Sequence, residues 1–249
     1  MARVAAGPYL CEELHKPVRL PGASRGGRME GPRVGALARR ISESTIRRLS
    51  FYLRILEEVE RGGVGTISSE ELAERAATTA AQVRKDLSLF GSFGKRGLGY
   101  AVRQLAAELR DILGLDRSWR VALVGAGRIG SALFEYPGFR RRGFEIVAVL
   151  DADPNKQGKC WSGVLVRDVA ELEHVLRAER VEIVILAIPA PAAADVSARA
   201  VAAGVKGILN FAPMQLRVPN GVAVKDVNMV MELEALSFAL TQAGRTPWG

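Results

Sequence analysis

Three glycines stand at the spacing G-x-G-x-x-G in the run Gly125, Ala126, Gly127, Arg128, Ile129, Gly130, with Ser131 and Ala132 directly after it. Each glycine of such a run answers a steric need, in turn a tight turn, close approach of the backbone to a pyrophosphate, and packing of a helix on a strand. Alone the motif is a weak signal, because a glycine-rich turn can be merely a turn. Here the apolar run VALV precedes it, a helical pattern follows, and Asp151 stands 21 residues past Gly130 at the end of FEIVAVLD. A carboxylate at that place can accept both ribose hydroxyls and repels a 2′-phosphate, so the spacing points to NAD rather than NADP. No Arg or Lys directly follows Asp151; Lys156 and Lys159 are further on.

General acid–base chemistry beside such a cofactor needs a titratable group, and the candidates are few. His15 lies in the N-terminal tail, and His174 sits among charged neighbours on a helix-like segment, where a solvated histidine is the better reading. Cys160 follows the second expected strand in a loop, away from the strand ends that face a nicotinamide. Cys11 and Cys160 have no metal-ligand spacing, so no metal is expected, and their number suits a reducing, cytoplasmic setting. No convincing catalytic constellation remains, which favours a binding protein over an enzyme, although tyrosine and lysine serve in some dehydrogenases.

A second set of residues lies in the N-terminal half. Ser68 with Glu71, and Thr79 with Gln82, have the spacing of reciprocal helix caps, and two short helices separated by a tight turn form a helix-turn-helix. Gln82, Arg84 and Lys85 then occupy the early turns of the second helix, the part that enters the major groove in such docking. The glycine-rich segment GSFGKRGLGY at 91–100 reads as a tight basic hairpin, a wing in which Lys95 and Arg96 suit a minor groove or flanking phosphates. The alternative for any one of them is a solvated helix face or an ordinary loop.

Charge agrees with this division. The chain carries +8 overall, of which residues 1–114 hold +6 and residues 115–249 hold +2, so a polyanionic partner is expected on the N-terminal side. No apolar run approaches the roughly 20 residues that span a bilayer. Prolines and glycines interrupt residues 1–40, which read as a disordered basic tail; Met29 is an alternative start. Residues 41–114 read as a winged helix-turn-helix domain, opened by a long helix with Ile46, Leu49, Leu53, Leu56 and Val59 on one face. Residues 115–227 alternate strands with helices, the pattern of a Rossmann-like doubly wound parallel sheet. Residues 228–243 form an apolar C-terminal helix. The fold class expected is α/β.

The pieces resemble, in the same order and over nearly all of residues 41–243, the Rex family of redox-sensing transcriptional repressors. The resemblance rests on YLRILEE, on VRKDLS followed by FGSFGKRGLGY, on VGAGRIGSAL with YPGF soon after, and on GILNFAP. It implies a homodimer that binds inverted-repeat operator DNA, holds NAD+ or NADH in one pocket, and dissociates from DNA as NADH rises. It implies that the C-terminal helix is exchanged between subunits. By resemblance Arg84, Lys85, Lys95 and Arg96 contact the operator, Gly127 to Ala132 line the pyrophosphate, Asp151 holds the adenosine ribose, and Tyr136 lies near the nicotinamide. Arg54 matches an arginine that, in one ligand state of the family, pairs with an aspartate of the partner subunit.

The sequence departs from the family at that aspartate. An acid followed by a large apolar residue is usual before the last helix; this chain has Asn228 and Met229, which with Arg54 would form the inter-subunit switch, Asn228 standing also at the cofactor site. A neutral amide still accepts a hydrogen bond from Arg54 but supplies no charge. Three readings stay open: a sensor of the NADH/NAD+ balance, a related repressor with an altered or lost NADH response that senses another adenine nucleotide such as a coenzyme A moiety, and an NAD-dependent oxidoreductase fused to a nucleic-acid-binding domain.

Overall fold

The computed structural model describes residues 41–94 and 98–243, which divide into two compact units, one running to Arg117 and the other beginning at Ser118. In the first unit Ser42 opens α1 (Glu43–Arg61), its hydroxyl oxygen accepting the Thr45 N–H at 3.2 Å. Leu49, Tyr52, Leu53, Leu56 and Val59 recur at three- and four-residue spacing and are all buried, so α1 supplies the central stripe of this core. After β1 (Thr66–Ile67) comes α2 (Ser69–Arg75). Its cap is reciprocal: the Ser68 hydroxyl accepts the Glu71 N–H at 3.0 Å, and the Glu71 carboxylate accepts the Ser68 N–H at 2.8 Å.

Thr79 caps α3 (Ala80–Ser88) by accepting the Gln82 N–H at 3.1 Å. Between α2 and α3, Ala77 adopts φ 50°, a left-handed conformation that glycine usually supplies, which fixes the tight turn of the helix-turn-helix. β2 (Tyr100–Ala101) pairs antiparallel with β1, Ile67 opposite Tyr100. A self-contained hairpin over 91–100 does not anticipate that pairing; residues 91–94 form a loop. Lys95 and Arg96 lie outside the described residues. α4 (Val102–Ile112) closes the unit by burying Val102, Leu105, Ala106 and Leu109.

The second unit is a seven-stranded sheet. β3 (Trp119–Val124), β4 (Phe144–Asp151), β6 (Val164–Asp168), β7 (Ile183–Leu186), β8 (Gly207–Asn210) and β9 (Ala223–Asp226) run parallel, and β5 (Cys160–Trp161) pairs antiparallel at the edge. Their spatial order is β5-β6-β4-β3-β7-β8-β9. The chain builds outward from β3 to one side and then, from β7, to the other. This makes the β3/β7 boundary the topological switch point of a Rossmann sheet. α5 (Arg128–Glu135), α6 (Pro137–Arg141), α7 (Leu172–Ala178) and α8 (Ala190–Ala202) connect the strands. Alternate residues of β3 enter different cores, Ala122 and Val124 one, Val121 and Leu123 the other, as a sheet covered on both faces requires.

The β5–β6 hairpin is not legible in the hydrophobic pattern, yet its turn is written in the sequence. Ser162 at φ 45° and Gly163 at φ 92° both take positive φ, the geometry of a two-residue hairpin loop. At the end of the sheet, α9 (Met229–Ala243) is capped by Asn228, whose side-chain oxygen accepts the Val230 N–H at 3.0 Å and the Met231 N–H at 3.3 Å.

One buried carboxylate ties α3 to α1. Asp86, 1% exposed, accepts Arg48 through Nε at 2.6 Å and through Nη2 at 2.8 Å, the Tyr52 hydroxyl at 3.0 Å and the Gln82 amide nitrogen at 2.8 Å. Burial, the largest influence, pushes this carboxyl up, but the hydrogen bonds from Arg48, Gln82 and Tyr52 together outweigh it and hold it below the usual range. The Tyr52 phenol is pushed up, first by burial and then by its bond to Asp86. Asp86→Ala strands these donors and is expected to lower the unfolding free energy by about 3 kcal/mol, seen as a lower urea midpoint at unchanged slope. Because the folded-state pKa is depressed, the part of this difference that depends on the carboxylate's charge is fully present above about pH 4 and is lost as pH falls through the folded-state pKa. An Asp86→Ala midpoint equal to wild type at pH 7 would contradict this account.

Candidate functional site

At the C-terminal end of β3 the chain turns through Gly125, at φ 104°, where a side chain would run into the Ala187 backbone. A side chain at Gly130 would strike the Gly125 carbonyl, so this glycine lets α5 pack directly against the turn. Gly127 differs from both: nothing lies within 4 Å of the place a Cβ would take. The outer two glycines are demanded by the fold, and the middle one leaves backbone exposed to whatever enters. Gly127 also caps α5 without a side-chain hydrogen bond, so the first N–H groups of that helix remain for an anion.

Asp151, 8% exposed, braces this loop from the end of β4. Its Oδ2 accepts the Ala126 N–H at 2.6 Å and the Lys156 ammonium at 3.1 Å, while Oδ1 accepts the Asp153 N–H at 2.8 Å. Burial pushes the carboxyl up, and the bonds from Asp153, Ala126 and Lys156 more than reverse that, so the group is ionised at neutral pH. Spacing along the chain sets Lys156 apart from this carboxylate. The turn after Asp153 instead brings it back into the site, where its charge offsets part of the repulsion that Asp151 would exert on a 2′-phosphate.

Gly125, Gly127, Arg128, Ile129 and Asp151 line a cleft of about 970 Å³ at the switch point. Its other wall consists of Ala187, Ile188 and Pro189 after β7, and Phe211 and Pro213 after β8. Sequence reasoning missed this wall and Lys156. The signal was available, since A-I-P and N-F-A-P both follow strand ends flanking the switch point, where ligands of such sheets sit. Asn210 shapes the second segment: fully buried, it donates to the carbonyls of Ala212 and Met214 and to Asp226, and its oxygen accepts the Ala212 N–H at 3.0 Å.

Other expected residues do not line the cleft. Ala126 and Gly130 are buried behind it, and Ser131 and Ala132 lie further along α5. Tyr136 is half exposed and meets Phe139 edge to face at 5.4 Å. Asn228 serves as the α9 cap. His174 and Cys160 lie outside the cleft, and among the described residues no group of His, Cys, Asp or Glu could hold a metal.

In the other unit, Arg84 and Lys85 are exposed on α3. Arg84 donates to the Ser69 hydroxyl at 2.8 Å and to Glu70 at 3.0 Å, whereas Lys85 has no ion-pair partner among the described residues. Gln82 is partly buried and donates to Asp86. Arg54 is exposed on α1 and Met229 on α9.

A winged helix-turn-helix followed by a Rossmann sheet with a glycine-loop cleft defines a class of two-unit, nucleotide-responsive transcriptional regulators. Residues 40–88 match a family described as "Putative DNA-binding protein N-terminus", and residues 116–214 match a "CoA binding domain". The redox-sensing transcriptional repressor Rex of Carboxydothermus hydrogenoformans is 51% identical over 80% of this chain and 96% of its own. A crystal structure of RSP with β-NAD+ and operator DNA aligns with TM-score 0.79 at 38% identity, covering 82% of this chain and 94% of that one. The structure of RSP with β-NADH aligns with TM-score 0.74 at 37% identity, covering 82% and 95%. The chain belongs to the Rex family of redox-sensing transcriptional repressors.

The glycines yield a paired test. Gly130→Ala is expected to lower the melting temperature by several degrees, through strain of about 1–3 kcal/mol in the turn. Gly127→Ala is expected to leave the melting temperature of the ligand-free protein unchanged while weakening dinucleotide binding at least tenfold by calorimetry, because its methyl group occupies the approach to the loop. Equal effects of both variants on both measurements would contradict the division of labour.

Proposed function

We propose that this protein is a homodimeric repressor that binds inverted-repeat operator DNA and is released when NADH replaces NAD+ in the cleft. The observation that carries the reading is the Asp151-braced glycine loop at the sheet's switch point, in a chain whose other unit exposes basic residues on the second helix of a helix-turn-helix. Gln82, Arg84 and Lys85, with Lys95 and Arg96 beyond them, are the residues we assign to DNA. Gly125, Gly127, Arg128, Ile129 and Asp151, which line the cleft, are those we assign to the dinucleotide. The RSP structures, with NAD+ and operator DNA in one and NADH in another, support NAD(H) over a coenzyme A moiety for a cleft of this shape.

The dimer reading rests on α9. Met231, Leu233, Leu236, Phe238 and Leu240 are each at least 60% exposed, far more apolar surface than a helix keeps in water. We take this helix to be exchanged with a second copy, as the family resemblance implies. We read a sensor rather than an enzyme, because its relatives are repressors; beside its glycine and apolar walls the cleft is lined by the Asp151–Lys156 pair, Arg128 and Asp153, a set suited to holding a nucleotide. We assign the protein to the cytoplasm on the strength of its proposed DNA target; no described helix is long and apolar enough to cross a membrane.

Asn228 supports a second reading, a weakened NADH response. A charge-assisted bond contributes about 1.5–3 kcal/mol and a neutral one about 0.5–1.5, so pairing Arg54 with an amide costs on the order of 1 kcal/mol of switching energy. Operator binding measured at fixed salt with NAD+ or NADH tests both readings. NADH, and not NAD+, is expected to release the DNA, and Asn228→Asp to sharpen that release about fivefold. Tight binding indifferent to both nucleotides would remove the redox reading. A response unchanged by Asn228→Asp would remove the role given to Asn228.

A further inference from the structure

We propose that Gln82 is a specificity-determining residue whose side-chain oxygen reads an exocyclic amino group on a base edge, adenine N6 or cytosine N4, in an orientation imposed by Asp86. The assignment rests on the DNA-binding reading above and adds what this residue recognises. A glutamine side chain is ambivalent: one end accepts, the other donates, and a free amide can turn either end to the groove. Gln82 is not free. Its amide group lies 2.8 Å from Asp86 Oδ1, and an ionised carboxylate only accepts, so the atom facing it must be the NH2 nitrogen.

The carboxylate cannot change its own role. It is 1% exposed, and both its oxygens are already occupied by the Arg48 guanidinium and the Tyr52 hydroxyl. These donors come from α1, so the orientation of Gln82 is set by a helix that need not touch DNA at all. The remaining end of the amide, Oε1, accepts no hydrogen bond among the described residues, and Gln82 sits in the first turn of α3, three residues after the Thr79 cap. An oxygen left without an internal donor matches a donor on a base edge. Facing guanine O6 or thymine O4 it would oppose acceptor to acceptor. Asp86 is thus a positioning residue: it chooses which end of Gln82 the DNA meets.

The test uses the full-length protein and an inverted-repeat operator selected from a random duplex pool. At each half-site position adenine is replaced by purine, or cytosine by 2-pyrimidinone, which deletes the amino group together with its Watson–Crick hydrogen bond, so that each penalty is read as the difference between wild type and variant on the same duplex. Wild type is expected to lose roughly two- to tenfold in affinity at one position of each half-site, the range of a single hydrogen bond. Whether purine or 2-pyrimidinone causes the loss tells adenine from cytosine. In Gln82→Met the penalty at that position should vanish. Gln82→Lys guards against a folding defect, since its ammonium can still donate to Asp86 while presenting no acceptor; it too should ignore the deletion. A purely structural Gln82 predicts the opposite, with Gln82→Lys retaining the wild-type penalty, and that result would overturn the assignment. So would operator binding in which no amino deletion depends on residue 82. Failure of the wild type to bind any duplex would instead overturn the DNA reading, and the assignment with it.

Discussion

A carboxylate withdrawn from water must be given donors, and that requirement organises both halves of this protein. Asp86 and Asp151 are 1% and 8% exposed. Left unpartnered, either would cost several kcal/mol. Each is satisfied by groups from distinct segments, so meeting the carboxylate's demand fixes how those segments lie. Asp86 gathers Arg48 and Tyr52 from α1 and Gln82 from its own helix, which locks the second helix of the helix-turn-helix to the core of its unit. Asp151 gathers the Ala126 N–H, the Asp153 N–H and Lys156, which locks the glycine loop to the end of β4.

The same constraint explains what could be read from the sequence and what could not. Local demands leave local marks. Ser42, Ser68 and Thr79 announce their helices because a cap acts within three residues. The stripe from Leu49 to Val59 announces α1 because a helix buries one face, and the glycine run with Asp151 announces the cleft because both ends of that motif lie on consecutive strands. By contrast, Arg48 and Asp86 are 38 residues apart and meet only through tertiary packing. Nothing in their spacing says that Gln82, assigned to DNA from its place on α3, is also held by an internal carboxylate. Lys156 escapes a reading by spacing for a related reason: distance along the chain after Asp151 says little about distance in space when a turn intervenes.

The cleft's far wall shows a third kind of illegibility. Phe211 and Pro213 look like core residues in the sequence, and their position beside the ligand space depends on Asn210, a polar residue with no exposure. Its amide donates to two carbonyls of the following turn and accepts one of the turn's N–H groups, so a single side chain substitutes for the regular hydrogen bonding the backbone loses there. A buried asparagine at the end of a parallel strand could have been flagged as a turn organiser, since a wholly buried amide has to find about four partners.

Asn210 has a fourth bond, to Asp226 Oδ1 at 2.7 Å, and its carbonyl accepts the Val227 N–H at 2.8 Å. The next residue is Asn228, whose side chain caps α9. The turn that walls the cleft and the root of the C-terminal helix therefore share one buried side chain. Such sharing does not by itself make a switch, because a ligand shifts an equilibrium only as far as its contacts differ between states. It does set where a difference would be felt. A ligand that holds Phe211 and Pro213 in one arrangement acts on a turn that cannot shift without disturbing Asn210, and Asn210 cannot shift without loosening Asp226 and the strand end that aims α9. The apolar surface of that helix is exposed on every side in a single chain, so whatever sets its root sets where that surface is presented.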